Sequence, residues 1–481
     1  MNRRRILFSS IFFVSLIAAS AVSAQTERSN VHAPETLPGV EPEMLKADYW
    51  IALQKDANDV ILTPEQIKGF NEHIRTKKIT FQDRYGKPDP MISFYDFVSI
   101  KGLLMNPILP LELPATVPGD SVRVRLNRNV EWLFDPMPLW GSKDFYDGRN
   151  VVYDKKMKDE LVELMNIGTV PNTIRRRFGI VVNHVNARYY PTDVPGYQNP
   201  TSECDRFQAG SILVGTPVAI LHESADGGFL YVETPESRCW IKSRDIAVGS
   251  REEVKKLAGD PNFLMAAGHR VPVYTDPAFK TFARYFYYSA TMPLVKRDAS
   301  VYTVKMPFRN EDGSIGVVNG YVKPDADVHE GYFPYTKRNV LTQVFKLMDQ
   351  PYGWEDQDDK RDCCGTMHVL LRCFGIQTGR WCNHILLASD NRLYMNPQLT
   401  TKQKLAEVAK LEPVITMAGT SGHIVLYLGP AANGKQYFIH QAGWGYNEGD
   451  THYWVNRHTV NVLTHTWYSV DAPSVWTTFR P

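Results

Sequence analysis

The chain shows almost no charge imbalance. It carries 54 basic and 52 acidic side chains, and three of the basic ones, Arg3, Arg4 and Arg5, crowd the N-terminus. Residues 1–24 hold no acid, so the rest of the chain has 51 basic against 52 acidic residues. That near-neutrality excludes a whole-molecule field able to hold nucleic acid or an anionic membrane surface. Cysteine is scarce, six in 481 residues, and no C-x-x-C occurs. A structural zinc site is therefore not expected, nor is any other metal or cofactor. Beyond residue 24 no run is apolar enough to cross a bilayer, which takes about 20 residues. With 43% hydrophobic and 22% charged residues the composition is ordinary globular material, and the length suits three or four domains.

What is present at the N-terminus accounts for the missing acids. Arg3–Arg5, the apolar run Ile6 to Ala19 and Val22-Ser23-Ala24 read as a signal peptide cleaved after Ala24. No Cys follows the run, so the usual lipoprotein acylation site is absent. The mature chain is expected to be exported, periplasmic or secreted, and without a stable membrane span. Exported proteins tend to pair their thiols. Cys204 and Cys239, 35 residues apart, are candidates for a bridge. Cys363, Cys364, Cys373 and Cys382 crowd into 20 residues, which leaves structural disulfides or a reactive thiol.

Residues 25–45 are polar and Pro-rich and read as a linker. Thr63-Pro64-Glu65-Gln66 opens a helix with a capping box and Pro at its first position, with Ile67, Phe70 and Ile74 on one face. Residues 46–155 read as a mixed, largely helical region, with an extended Pro-rich stretch from Pro107 to Pro118. Short strands follow. Ser211 to Ile220 and Phe229 to Glu233 flank a turn at Asp226-Gly227-Gly228, and Trp240-Ile241-Lys242 closes that unit. A second β-rich unit turns at Asn310-Glu311-Asp312-Gly313 and closes with Tyr321-Val322-Lys323, 81 residues after the first. Two small barrels fit this spacing. From Tyr335 a helix covers Val340 to Met348, and a second starts at Asp362 with Met367, Leu370, Leu371 and Phe374 as a core stripe and Gly375 as its stop. Strands His423–Leu428 and Gln436–His440 then form a hairpin, an α+β layout. The acidic cluster Glu355, Asp356, Asp358 and Asp359 reads as a solvated loop.

Cys363 falls on the first turn of its helix, where free N–H groups and the helix dipole favour a thiolate. In the hairpin, residue 428 facing 435 or 436 puts His423 opposite residue 440 or 441, so His423 and His440 share one end. A cysteine capping a helix upstream of two such histidines suggests a nucleophile, its base and an orienting partner, the order seen in papain-like enzymes.

Asp362-Cys363-Cys364-Gly365, Gly422-His423 through Tyr427-Leu428-Gly429, and Ile439-His440 with Trp444-Gly445 resemble the three catalytic blocks of the NlpC/p60 cell-wall cysteine peptidases. Tyr352-Gly353-Trp354 looks like the tyrosine-containing block before them. Arg188 to Thr192, Val214-Gly215-Thr216-Pro217-Val218 and Ser224-Ala225-Asp226-Gly227 resemble the SH3-like domains that precede the peptidase in some members. Tyr49-Trp50 and Asn58 to Thr63 resemble that subgroup's N-terminal stabilising domain. Three positions depart from the family: Cys364 stands where it has Ser, Glu355-Asp356 where it has Gly-Gly, and Cys382 is the nearest match to a later Ser that lines the pocket.

The resemblance implies a multidomain α+β chain, a papain-like catalytic domain (331–481) preceded by two small SH3-like barrels (156–250 and 251–330) and a largely helical N-terminal stabilising region (46–155). It implies Cys363 as nucleophile, His423 as base, His440 as orienter and Tyr352 as an oxyanion partner of the Cys363 N–H. Asp362, itself also a plain helix cap, would bind the substrate's free α-amine, with Cys364 and Cys382 near the substrate. The implied reaction is hydrolysis of peptidoglycan-derived peptides at the γ-D-glutamyl–L-diamino acid bond by a monomer. A non-catalytic wall-binding protein, and an amidase or acyltransferase with the same Cys–His site, are the alternatives. Cys364 could simply fill space, or Cys364 or Cys382 could capture an oxidised Cys363.

Overall fold

The computed structural model describes residues 30–76, 109–136, 142–420, 422–443, 445–448, 451–463 and 475–480. The segment read as a signal peptide, Trp444 and the start of the Pro107–Pro118 stretch lie outside these. The described residues form a mixed α/β structure with two seven-stranded sheets, one six-stranded sheet and two smaller ones.

The first seven-stranded sheet runs from Arg177–Val181 to Ile246–Gly249. The apolar run 211–220 does not stay one strand. It breaks into Gln208–Ile212 and Pro217–Glu223, because Gly215 turns the chain at φ 83°. The turn at Asp226 is as expected: its carboxylate accepts from Gly228 N–H at 2.9 Å, and Gly227 takes φ 69°. The second sheet, from Phe263–Ala266 to Val328–Glu330, includes the hairpin Tyr302–Arg309/Ile315–Val322 around the Asn310–Gly313 turn.

Two expectations about the N-terminal part need correction. The described part of the 25–45 linker is packed structure. Asn30–His32 pairs in parallel with Thr451–Trp454, and Ala33, Leu37, Val40 and Met44 are buried. The Pro-rich composition hid this, because four spaced apolar residues suffice to fill a groove. Arg457 donates to the carbonyls of Ala33, Pro34 and Glu35, satisfying acceptors that prolines leave without a neighbouring strand. Nor is 46–155 one unit. Trp50, Leu62, Ile67 and Ile74 share a core with Leu341, Met367, Leu370 and Ile424. Val122, Leu126 and Leu133, from helix Gly119–Phe134, instead join Tyr190, Phe207 and Trp240 beside the first sheet. The Thr63 capping box is present: Thr63 N–H donates to Gln66 Oε1 at 2.8 Å and Gln66 N–H to Thr63 Oγ1 at 3.3 Å.

The site is positioned by the helix Cys363–Arg372 lying on a six-stranded sheet. That sheet orders Arg392–Tyr394, Val475–Thr478, Thr416–Thr420, His423–Pro430, Gln436–Gln441 and His458–Val462. Met367, Leu370, Leu371 and Phe374 are buried, and Gly375 ends the helix at φ 76°.

Trp50 tests how firmly the N-terminal segment belongs to this core. It is fully buried, donates Nε1–H to Met44 O at 2.8 Å and packs on Tyr437 at 5.4 Å. Trp50→Ala should cost about 3–5 kcal/mol in the transition that melts the six-stranded sheet, read by calorimetry. An unchanged transition would place residues 46–76 outside that cooperative unit.

Candidate active site

Asp362 caps the helix, accepting from Gly365 N–H at 2.6 Å, and this fixes Cys363 as the first helical residue. Gly422 and Ile424, the two neighbours of His423, both reach its sulfur. Cys363 Sγ lies 4.0 Å from the Gly422 carbonyl, and the Ile424 N–H donates to it. The histidines come together at one hairpin end, His423 Nε2 to His440 Nδ1 at 2.7 Å. Their register is not the one the loop suggested. An irregularity between Tyr427 and Gly429 shifts it, so that Leu426 faces Ile439. His423 thus reaches the level of residue 442, diagonal to His440 on the same face.

The electrostatics reverse the expectation of an acidic thiol. Cys363, His423 and His440 are 4%, 2% and 0% exposed. Burial pushes the Cys363 thiol up, and the charge of adjacent Asp362 pushes it further. The N–H groups of Ile424 and Cys364 oppose this without winning. Burial takes His423 down to about 3 and holds His440 well below its ordinary value. Desolvation outweighs the helix terminus, so at rest the pair is a neutral thiol and a neutral imidazole. Tyr352 sits beside them. Burial raises its hydroxyl first; Cys363, once ionised, and Asp362 add to the rise. A Cβ on Gly443 would lie 2.6 Å from the Tyr352 ring, so only glycine lets the two meet.

The cysteines sort differently from the sequence reading. Cys204 and Cys239 are free. Cys364 is bonded to Cys382, so neither carries a thiol to offer substrate or to capture Cys363. Cys363 Sγ is 3.7 Å from Cys364 Sγ.

The acidic loop is solvated only in part: Asp358 is exposed and Asp359 half-buried. Glu355 and Asp356 are buried and gather with Asp362 around Arg380, a residue the sequence reading passed over. Arg380 Nη1 is 2.6 Å from Glu355 Oε2, Nη2 3.2 Å from Asp356 Oδ2 and 2.7 Å from Asp362 Oδ2. Asp356 Oδ1 also accepts from Asp362 N–H at 2.9 Å. A Cβ on Gly365 would lie 2.0 Å from that oxygen, which explains the glycine after the cysteine pair. Both β-rich units reach this loop. Gln208 donates to Glu355 O at 3.4 Å, Arg206 covers the Trp354 ring at 4.6 Å, and Tyr189 lies within electrostatic reach of Glu355 and Arg380. From the other side, Asp359 accepts from Tyr287 Oη at 2.9 Å and from Arg270 at 3.1 Å. The available signal for Arg380 was its place two residues before Cys382, itself matched to a pocket position.

Two measurements check this chemistry. Alkylation of the native, unreduced protein should label Cys363 and Cys204 but leave Cys364 and Cys382 unlabelled by peptide mass analysis. Labelling of either of the latter would show an open disulfide. The Cys363 alkylation rate should climb with pH past about 8.5, the ordinary thiol value, with no plateau near neutrality. A neutral plateau would mean a preformed thiolate–imidazolium pair.

Comparison with known proteins bears on the fold. A solved NlpC/P60 endopeptidase from Photobacterium damselae subsp. piscicida is similar over 93% of this chain and 98% of its own, with 16% identity and a TM-score of 0.70. An NlpC/P60 family protein from Bacillus cereus ATCC 10987 covers 63% of this chain and 100% of its own, at 13% identity and TM-score 0.44. NlpC1 from Trichomonas vaginalis covers 64% and 94%, at 16% identity and TM-score 0.26. No curated protein matches the chain. The family described as SH3 domain (SH3b1 type) matches residues 195–242, which hold the strands from Gln208–Ile212 to Arg238–Lys242. The chain thus shares the fold of an NlpC/P60 endopeptidase and includes an SH3 domain of the SH3b1 type.

Proposed function

We propose that this protein is an exported cysteine peptidase that hydrolyses peptidoglycan-derived peptides at the γ-D-glutamyl–L-diamino acid bond. The observation that carries the reading is the 2.7 Å His423–His440 contact beside Cys363, in a fold like that of an NlpC/P60 endopeptidase. In this reading residues 331–481 are the catalytic unit, 156–250 and 251–330 are SH3-like units, and residues 1–24 are a cleaved signal.

The geometry suits a base that acts only when substrate arrives. With His423 Nε2–H donating to His440 Nδ1, His423 Nδ1 is the basic nitrogen. It takes the Cys363 proton as the sulfur attacks the scissile carbonyl, and the His440 lone pair then faces the imidazolium. The Cys363 N–H and the Tyr352 hydroxyl stabilise the tetrahedral oxyanion. His423 next returns its proton to the leaving amine, and water hydrolyses the thioester with the same nitrogen as base. A nucleophile only 4% exposed, beside a loop that both β-rich units contact, suits short released peptides over intact wall.

Incubation with purified muropeptides and mass analysis of products tests the reading. Cys363→Ala should release no diamino-acid-containing fragment. His423→Ala should lower the rate about 10²–10⁴-fold, as loss of a general base does, and His440→Ala should cost less. Full activity of Cys363→Ala, or a product from an amide bond outside the peptide, would sink it.

A further inference from the structure

The Cys363 sulfur stands in a cluster of three. Its Sγ lies 3.7 Å from Cys364 Sγ, and the sulfurs of Cys363, Cys364 and Cys382 all fall within 4.8 Å of one another. All three residues are buried. The bond between Cys364 and Cys382 uses two of these sulfurs as a clamp. A clamp needs no third sulfur, yet the third is in contact with it. Two chemistries use three sulfurs at such spacing, and geometry separates them. One is attack of Cys363 on the disulfide, a displacement that runs with the attacking, central and leaving sulfurs on one axis. With Cys364 as the centre and an S–S bond of about 2.04 Å, that axis would put Cys363 Sγ about 5.7 Å from Cys382 Sγ. The two lie within 4.8 Å, far from in line.

The other chemistry is a triangle of ligands around one metal ion. Zinc takes thiolates at about 2.3 Å in tetrahedral geometry, which sets two sulfurs on one ion about 3.8 Å apart. Cys363 and Cys364 already stand at 3.7 Å. Their surroundings support thiolate ligands. The N–H groups of Ile424 and Cys364 face Cys363 Sγ. Cys363 and Cys364 both belong to the first turn of a ten-residue helix, whose free N–H groups favour anions. Desolvation and the charge of Asp362 oppose ionisation of Cys363. A divalent cation bonded to the sulfurs offsets both, because it replaces the thiol protons and cancels most of the buried negative charge.

We propose that Cys363, Cys364 and Cys382 form a three-thiolate zinc site when the Cys364–Cys382 bond is reduced, and that this bond gates the nucleophile. A dithiol gives two electrons and two protons to the S–S bond and leaves as its own disulfide, so that three thiols face one another. Zinc(II) then releases three protons to solvent and bonds the three sulfurs, with water in the fourth position. Thiolates select zinc over magnesium or calcium. In that state the Cys363 sulfur is committed to the metal and does not attack a carbonyl. In the oxidised chain Cys364 and Cys382 have no thiolate to offer, so Cys363 stays outside any such site and remains a nucleophile. The zinc site stands without the peptidase reading proposed above; only the loss of hydrolysis rests on it.

The test uses the full mature chain, reduced with a dithiol that is then removed by gel filtration without air, beside the same chain left oxidised. Cobalt(II) chloride is the spectroscopic probe and zinc chloride its competitor. The reduced chain should bind one cobalt ion with a thiolate-to-cobalt charge-transfer band of three-sulfur intensity, and zinc should displace it. Zinc should bind the reduced chain at least about 100-fold more tightly than the oxidised one, beyond the 10–100-fold that an outer-shell change costs. It should also raise the melting temperature of the reduced chain, as an ion held only by the folded state does. Cys363→Ala, which keeps the disulfide pair, and Cys382→Ser should each lose one sulfur's share of the band, whereas Cys373→Ser should keep all three. Muropeptide hydrolysis by the reduced chain should stop on adding zinc and return with a chelator. A full band in Cys363→Ala, equal zinc affinity of the two redox forms, or a melting temperature lowered by zinc would overturn the site. Zinc bound as expected with hydrolysis untouched would overturn the gate. If no muropeptide is cut at all, the cobalt band and the melting shift still decide the site.

Discussion

The arrangement around the cysteine depends on the guanidinium of Arg380. It is buried, and it touches carboxylates from two segments, Glu355 and Asp356 from the loop and Asp362 from the helix start. Buried charges cost several kcal/mol each unless paired, and stripping a partner from such a group costs about 3–5 kcal/mol. Through this one group the loop is pinned to the helix whose first residue is Cys363. The second tie is Asp356, which accepts the Asp362 N–H where the positive end of a helix favours an anion. Four residues of the loop, Glu355, Asp356, Asp358 and Asp359, stay left-handed because contacts from Gln208, Arg206, Arg270 and Tyr287 over-determine it. A freely solvated acidic loop would relax out of that conformation.

The disulfide belongs to the same construction. It joins Cys364, in the first turn of the helix, to Cys382, two residues after Arg380, across 18 residues of chain. Closing a loop of that size removes about 3 kcal/mol of unfolded-state freedom. It also holds the Arg380 segment against the helix start. A serine at 364 would leave Arg380 held by its ion pairs alone. The two cysteines, which looked like departures near the substrate, are thus part of what positions the charge cluster.

Elements that depend on local chemistry were legible in the sequence. The capping box at Thr63, the Asp362 cap, the Gly375 stop and the turns at Asp226 and Asn310 all have their signals within a few residues of each other. The convergence of His423 and His440 was also legible, although the register was off, because a two-residue difference along one strand keeps a side chain on the same face. What failed were features set by contacts distant in sequence. The burial of Leu37 and Met44 depends on a groove formed some 400 residues later. The division of 46–155 between two cores depends on which sheet each helix meets. The burial of Glu355 and Asp356 was hidden because the cation that pairs with them is Arg380, 18 residues after Asp362, although Lys360 and Arg361 stand next to the loop in sequence.

The thiol illustrates how tertiary burial overrides a local rule. A helix N-terminus favours a thiolate by roughly 0.3–1 kcal/mol, up to about 2 in partly buried geometry. Full desolvation of a charge is a larger effect and acts in the opposite direction, and Asp362 adds to it one residue away. A neutral thiol beside a neutral imidazole is therefore the resting arrangement at this buried site. Such a pair is a weaker nucleophile toward small oxidants in solution, because the thiolate is the reactive species. In the proposed mechanism, proton transfer to His423 becomes favourable only when a substrate carbonyl lies in place and the Tyr352 hydroxyl can donate a hydrogen bond to the developing oxyanion. In that mechanism the burial of Cys363 does more than limit what reaches it: by excluding water it keeps the sulfur protonated until the bond to be cut is in position.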